Sequence, residues 1–289
     1  MKGGGKSMYV ALQGGLGNQL FIYAAALAIS KKTGSRLYIF SKDTNKHSTF
    51  DYRSFMDGEK VDASPEIKAK YDGLPDIVPK PKRFYETFTD ATINYQAAKE
   101  KEMKLPEHYY QSFIPILPVI QEIKEGMMKK EFTKPNYAKV IEGVDSASTA
   151  FMHIRRGDYI DIGWNHNDDY YKRALARMNK CGKIKKIVVL SNDIAWCRGK
   201  EPIWKTITQK EIECKDIPNE LEAYYYMLNC RGGAILSTST FSAWAAIMGA
   251  NENPEACIVY PFKNIVYEKE FGGKQPPNIY GFPDRWIAI

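Results

Sequence analysis

The residues best equipped for chemistry lie in one run, Ser-Thr-Ala-Phe-Met-His153-Ile-Arg155-Arg156-Gly157-Asp158-Tyr159-Ile160. Arg155 and Arg156 keep their charge at any physiological pH, and each guanidinium offers a planar fork that fits phosphate oxygens. Such a pair is costly to hold together unless an anion meets it. Gly157 permits a sharp turn, and Asp158 can pin one guanidinium. Side chains alternate along a strand, so His153 and Arg155 share a face. The pattern suits a diphosphate gripped by arginines with an imidazole beside it. A solvated charged turn is the plainer reading. Arg156-Gly157-Asp158 also spells an integrin-binding tripeptide, which needs an exposed extracellular loop that nothing else in the chain supports.

Positioning those groups takes a strand before them and helices around them. The stretch from Ser148 to Ile160 opens on a short apolar run that ends abruptly at His153-Ile-Arg-Arg-Gly-Asp, as expected of a buried strand, and ligands of open α/β sheets bind where strands reach their carboxyl ends. The same order recurs downstream. Lys186–Ser191 predicts a strand ending in Ser191-Asn192-Asp193, and Ala234–Leu236 predicts one ending in four hydroxyl residues, Ser237-Thr238-Ser239-Thr240. Helices are predicted over 168–179, 220–230 and 241–249, and a strand over 257–260. Strands alternating with helices imply right-handed βαβ units and parallel sheets. Ser239 or Thr240 can cap the following helix, and the remaining hydroxyls and N–H groups can cradle an anion.

The first half has its own glycine-rich turn, Gln13-Gly14-Gly15-Leu16-Gly17-Asn18-Gln19-Leu20-Phe21, between a strand at 9–13 and an Ala-rich helix at 18–31. It matches a dinucleotide fingerprint weakly, because the third glycine is missing and the strand at 36–40 ends in Ser41-Lys42 where a ribose-binding acid would stand. Gly3-Gly4-Gly5-Lys6-Ser7 mimics the end of a P-loop but lacks the preceding strand, so it reads as a leader. Residues 43–104 predict irregular connections with short helices. His108–Phe113 predicts a strand, 119–131 an amphipathic helix, and 133–141 the approach to a second domain.

Bulk properties narrow the classes. With 289 residues, 44% hydrophobic and 26% charged, the chain can bury a full core in one large or two modest domains. The net charge of +7 fits an anionic ligand or an acidic surface, but the basic residues are scattered, so nucleic acid is disfavoured. Five cysteines without Cys-x-x-Cys spacing predict reduced thiols and a cytoplasmic setting, with neither a disulfide frame nor a zinc site. No apolar run reaches the roughly 18–20 residues of a membrane span. No Asp-x-Asp metal motif stands out; Asp168-Asp169 follows Asn167 as a helix start.

Three stretches in order, Gly14 to Phe21, His153 to Tyr159 and Ser237 to Trp244, resemble glycosyltransferase family 11, the α-1,2-fucosyltransferases. Shorter echoes are Tyr110-Gln111-Ser112, Asp169-Tyr170-Tyr171, Ser191-Asn192-Asp193 with Trp196-Cys197, and Met227 to Cys230. The resemblance implies a two-lobed GT-B-type α/β fold with Rossmann-like parallel sheets: an acceptor-side lobe over residues 1–145 and a GDP-sugar-binding lobe over 146–289. It implies GDP-fucose as donor, inversion, and neither metal nor other cofactor. By this match Arg155 and Arg156 hold the diphosphate, His153 lies beside the nucleotide, and Asp158 orients an arginine or, less readily, acts as base. Gly15, Gly17 and Asn18 face the donor from the first lobe. Ser239, Thr240 and Ser242, with Asp193, complete the donor site. The implied acceptor is an oligosaccharide or lipid-linked glycan, with peripheral membrane contact in the latter case.

Departures from the family cluster at the expected guanine and sugar pocket. Ala243 stands where a tryptophan is usual, Ser191-Asn192-Asp193 replaces Ser-Asp-Asp, and no acidic residue matches cleanly before Met227. They leave two alternatives open: another GDP-sugar as donor, or a binding module that has lost transfer chemistry.

Overall fold

The computed structural model describes residues 6–42, 50–83, 86–262, 278 and 280–289. Most of the glycine leader and the start of the irregular stretch after residue 42 lie outside them. The chain divides into two compact units, Met1–Thr133 and Lys134–Ile289. The sequence places the boundary near 145; the structure assigns the intervening residues to the second unit because α5 (Pro135–Val140) packs on α9 (Glu220–Leu228). Tyr137 meets Tyr225 edge-on at 5.3 Å, and Asn136 donates to Glu222 at 2.8 Å.

The first unit carries a parallel sheet of β1 (Ser7–Leu12), β2 (Arg36–Ser41), β3 (Glu59–Lys60) and β4 (Met103–Lys104), in the order β3-β2-β1-β4. Its helices are α1 (Leu16–Thr33), α2 (Pro65–Gly73), α3 (Tyr95–Glu100) and α4 (Leu117–Lys130). From Leu16 to Ile29, α1 is buried except at Asn18, as its nearly unbroken apolar sequence requires. Gly34, in the left-handed region at φ 73°, ends it by donating to Ser30 at 2.7 Å. On α4, Val119, Ile120, Ile123 and Met127 form the buried stripe of an amphipathic helix.

His108–Phe113 is not a strand. Tyr110 sits at φ +53°, which breaks an extended run, and its hydroxyl donates to the Pro106 carbonyl at 2.6 Å. Tyr110 and Phe113 are buried, but in an irregular segment.

The second unit is a six-stranded parallel sheet ordered β10-β9-β8-β5-β6-β7. Its strands are β5 (Thr149–Ile154), β6 (Lys186–Ser191), β7 (Glu211–Cys214), β8 (Gly233–Ile235), β9 (Cys257–Tyr260) and β10 (Ile287–Ala288). The helices are α6 (Asp158–Asp161), α7 (Asp168–Met178), α8 (Ile194–Ile207) and α10 (Thr240–Met248), with α5 and α9. The central strand β5 is buried throughout, consistent with its apolar sequence. On one face Met152 and Ile154 join Tyr170, Tyr171, Leu175 and Trp204 in the core. Cys181 and Cys257 form a disulfide, contrary to the expectation of five reduced thiols. The pairing is invisible in the sequence because 76 residues separate the two, while the fold brings their Cα atoms to 6.2 Å.

Both units are α/β with parallel sheets, each built by strand-helix alternation. Among the described residues no helix is long and apolar enough to cross a membrane.

Candidate functional site

Three neighbouring strands of the second unit, β8, β5 and β6, deliver polar groups at their carboxyl ends. Alternation along β5 divides the motif. His153 faces α10, with its ring 5.6 Å from that of Phe241, while Met152 and Ile154 face the α7–α8 core. Arg155 and Arg156 then diverge.

Arg156 is held on the β6–α8 side. Its Nε donates to Asp193 at 3.0 Å, and its guanidinium lies 4.1 Å from the Trp196 ring centroid. Its backbone N–H donates to Asn192 Oδ1 at 2.8 Å. Asp193 also caps α8, accepting from the Trp196 N–H at 3.2 Å, and the Arg156 hydrogen bond holds its carboxyl below the usual range. Its carboxylate is therefore committed to protein partners. The geometry makes Asp193 an anchor for Arg156, where the sequence reading groups it with donor-binding residues.

Arg155 is the more exposed arginine. Its guanidinium meets Asp158 at 2.8 Å and lies 5.3 Å from the Tyr159 ring centroid. Gly157 joins the two halves at φ +41°, a backbone that side chains disfavour, and a Cβ there would strike the Asn192 amide. Glycine is thus required both by conformation and by space.

The hydroxyl run faces two buried histidines. Ser237 Oγ and His153 Nδ1 are 3.1 Å apart, and His166 Nε2 pairs with Thr238 Oγ1. Burial, then the nearby Arg155 charge, pushes the His153 pKa down to about 3; burial alone brings His166 to about 4. Both are neutral at physiological pH and can fix hydroxyls without adding charge. Ser239 is the N-cap residue of α10, but its side chain makes no capping hydrogen bond. That N-terminus retains its preference for an anion. Thr240 opens the helix. Ser242 does not reach the surface: it is fully buried and its hydroxyl donates back to the Ser239 carbonyl at 3.1 Å.

A partly open pocket adjoins this loop where β8 and β9 end. Ser237–Ser239 and Ala243 line one side, and Tyr260, Phe262, Tyr280 and Phe282 bring aromatic rings to the other.

The remaining predicted residues belong to the first unit. Gly15 is the N-cap of α1, and its carbonyl accepts from the Asn18 and Gln19 N–H groups, both at 3.0 Å. Gly17 is buried in the first turn. Asn18 Oδ1 accepts from Gln111 Nε2 at 2.8 Å, and Gln19 Nε2 donates to the Gly14 carbonyl at 2.7 Å. His166, Asn192 and Gln111 are supporting residues that motif reading does not assign a role. Their partners lie 72, 36 and 93 residues away in sequence; the short family echoes contain Gln111 and Asn192 but do not reveal those partners, and no echo contains His166.

Comparisons with known proteins bear on the family and the fold. The glycosyl transferase family 11 pattern matches residues 89–271, more than half of the chain. The chain is 24% identical, across 331 aligned positions, to the O-antigen biosynthesis glycosyltransferase WbnK of Escherichia coli, covering 98% of this chain and all of that one. It is 22% identical over 263 positions to the galactoside 2-alpha-L-fucosyltransferase Sec1 of Mus musculus, covering 83% of this chain and 63% of that one. A crystal structure of POFUT1 in complex with GDP superposes with a TM-score of 0.50 at 11% identity, covering 89% and 98% of the two chains. At that identity the likeness speaks to fold alone, and the fold is GT-B-type α/β with two parallel-sheet units. On the family match, the chain belongs to glycosyl transferase family 11.

Proposed function

We propose that the protein transfers fucose from GDP-fucose to a galactose-like hydroxyl of a glycan, forming an α-1,2 linkage with inversion and without a metal ion. The observation that carries the reading is that β5 and β8 are paired neighbours, so that the neutral His153 and Arg155 come at the end of one strand and the hydroxyl run leading into α10 at the end of the next, with His153 joined to Ser237. The galactoside 2-alpha-L-fucosyltransferase activity in the name of Sec1 supports the linkage, and the GDP in the POFUT1 crystal supports the nucleotide.

In the reaction the acceptor hydroxyl attacks the anomeric carbon opposite the leaving GDP. The bond to the β-phosphate oxygen breaks, that oxygen keeps the electron pair, and the hydroxyl proton passes to a general base. Negative charge grows on the diphosphate as the sugar acquires oxocarbenium character. Arg155 is the group placed to meet that charge, with α10 N–H groups and the Ser239 and Thr240 hydroxyls beside it. Arg156, tied to Asp193 and Trp196, fixes the turn and contributes field. Asp158 orients Arg155 and is the weaker candidate for the base, because its carboxylate already accepts from that guanidinium. Gly15, Gly17 and Asn18 serve the donor from the first unit.

The acceptor is proposed to be an oligosaccharide or lipid-linked glycan, as the O-antigen role in WbnK's name suggests. The proposed compartment is the cytoplasm, with peripheral contact at the inner membrane face. The two alternatives, another GDP-sugar and a module without turnover, are outcomes of one experiment. GDP, GDP-fucose and GDP-mannose are titrated calorimetrically into wild type, Arg155→Ala and Arg156→Ala with EDTA present, followed by an acceptor screen. Selective GDP-fucose binding that is lost in Arg155→Ala, with turnover on a galactoside, is expected. Equal binding of both sugars refutes the donor assignment. Binding without turnover on any acceptor refutes the enzyme reading, and loss of binding in EDTA refutes metal independence.

A further inference from the structure

The aromatic pocket beside the α10 N-terminus has no role in gripping the diphosphate. We propose that it is the subsite for the donor's sugar, and that it selects a 6-deoxyhexose by burying the C5 methyl group against Tyr260 and Phe282. The inference rests on the donor reading above and specifies where and how the sugar is read.

Position is the first argument. The pocket shares Ser239 with the start of α10, so a ring attached to a phosphate held there lies at its mouth. Its chemistry is the second. Phe282 packs between Tyr260, at 4.9 Å, and Trp286, at 4.8 Å, giving a fixed apolar wall. Ala243 leaves room from the α10 side, where any larger residue would intrude.

The polar groups decide between a sugar and a nucleobase. A guanine edge needs several donors and acceptors, and each one buried without a partner is costly. Among the described residues of the lining, the one side-chain amide, Asn278, is committed at both ends to the Phe282 backbone, each bond being 2.7 Å. Ser237 and Thr238 are engaged by His153 and His166. Ser239 remains at the rim, with no capping bond to compete for its hydroxyl. Apolar ring faces together with the hydroxyls of Ser239, Tyr260 and Tyr280 suit a pyranose that is methyl-bearing on one side and hydroxylated on the other.

The test compares GDP, GDP-fucose, GDP-D-arabinose (the same ring without the methyl) and GDP-L-galactose (the same ring with a 6-hydroxyl). Affinities are measured by calorimetry for wild type, Ala243→Leu and Tyr280→Ala. Wild type should prefer GDP-fucose to either analogue by about 10- to 100-fold, the range for one methyl or hydroxyl in an apolar pocket. Ala243→Leu should lose that preference while its GDP affinity stays within about twofold, which also shows that it is folded. If Ala243→Leu fails to fold, Tyr280→Ala decides, because this half-buried turn residue removes a wall of the same pocket. A parallel fall in GDP affinity means the pocket holds the base and overturns the proposal. Unchanged preference in both variants means the donor does not enter the pocket and overturns it equally. Failure of wild type to bind GDP would instead refute the underlying donor reading.

Discussion

The two units place polar groups at the same topological position, the turn after a parallel strand, and differ in their chemistry. In the second unit the strand ends carry two guanidiniums, two neutral imidazoles and a hydroxyl loop. In the first, the turn after β1 is held by neutral amides: Gln19 to the Gly14 carbonyl and Gln111 to Asn18. A fixed charge is useful where charge changes during a reaction, because its effect grows as the anion forms. Neutral amides can orient a ring or hydroxyl but supply little extra as charge develops. On the proposed function, the charged groups of the second unit would stabilise a leaving group, whereas the neutral amides of the first could only orient a ligand.

Arg155→Ala should sharpen that division most. It removes the accessible cation and should lower kcat by about 100- to 1,000-fold, or about 2.7–4 kcal/mol, by analogy with loss of an oxyanion donor. Steady-state kinetics with GDP-fucose checks this. A rise in KM alone, with kcat unchanged, would break the comparison, since it would place Arg155 in uniform binding of substrate and transition state. Gly157→Ala should come next. It forces a side chain into a left-handed backbone and onto the Asn192 amide, costing about 1–3 kcal/mol from backbone strain. Chemical denaturation should report that loss, and the kinetics should show a further fall because Arg155 and Arg156 lose their mutual orientation.

Legibility in the sequence follows the physics of each element. β6 and β9 are predicted at their observed residues because central parallel strands are short apolar runs bounded by polar turns. α1 and α10 are read to within two residues at each end. The two-residue strands β3, β4 and β10 carry no pattern long enough to detect, and their pairing is decided by tertiary context. At the site, the Arg155–Asp158 pair is legible because its members are three residues apart. Arg156 with Asp193, at 37 residues, and Cys181 with Cys257, at 76, need the fold to bring them together. Ser242 misleads for another reason: membership in a hydroxyl run does not say which member turns inward.

The buried histidines offer a thermodynamic test of the second unit. His153 and His166 are depressed to about 3 and about 4 from an ordinary 6.5. Above pH 6.5 each is neutral in both folded and unfolded chains, so the full stability is present. As pH falls below 6.5 the unfolded chain takes up protons that the folded one refuses, and stability declines through the folded values. The slope is about 1.4 kcal/mol per pH unit for each histidine, or about 2 kcal/mol apiece between pH 6.5 and 5. Urea denaturation at pH 7 and pH 5 should show this loss. His166→Gln should start less stable at pH 7 but lose about 2 kcal/mol less than wild type on going to pH 5. Identical losses would mean that His166 is protonated in the fold and that the hydroxyl loop is held by a charge after all.

The smallest effect belongs to the first unit. Gln111→Leu is nearly isosteric but removes the donor to Asn18 Oδ1, while leaving Tyr110 and its left-handed backbone in place. One hydrogen bond between neutral groups at a half-buried site contributes about 1 kcal/mol, so the expected fall in kcat/KM is about fivefold. Stability should change by a similar amount. Because neutral amides act by orientation, GDP affinity should stay unchanged and the loss should appear with acceptor present. Gln111→Glu is the sharper probe, since it keeps the shape and replaces the amide donor with a charged acceptor facing Asn18 Oδ1. If Gln111→Glu lowers GDP affinity as strongly as Arg155→Ala, charge matters at the first unit too, and the division between a charged and a neutral strand-end site does not hold.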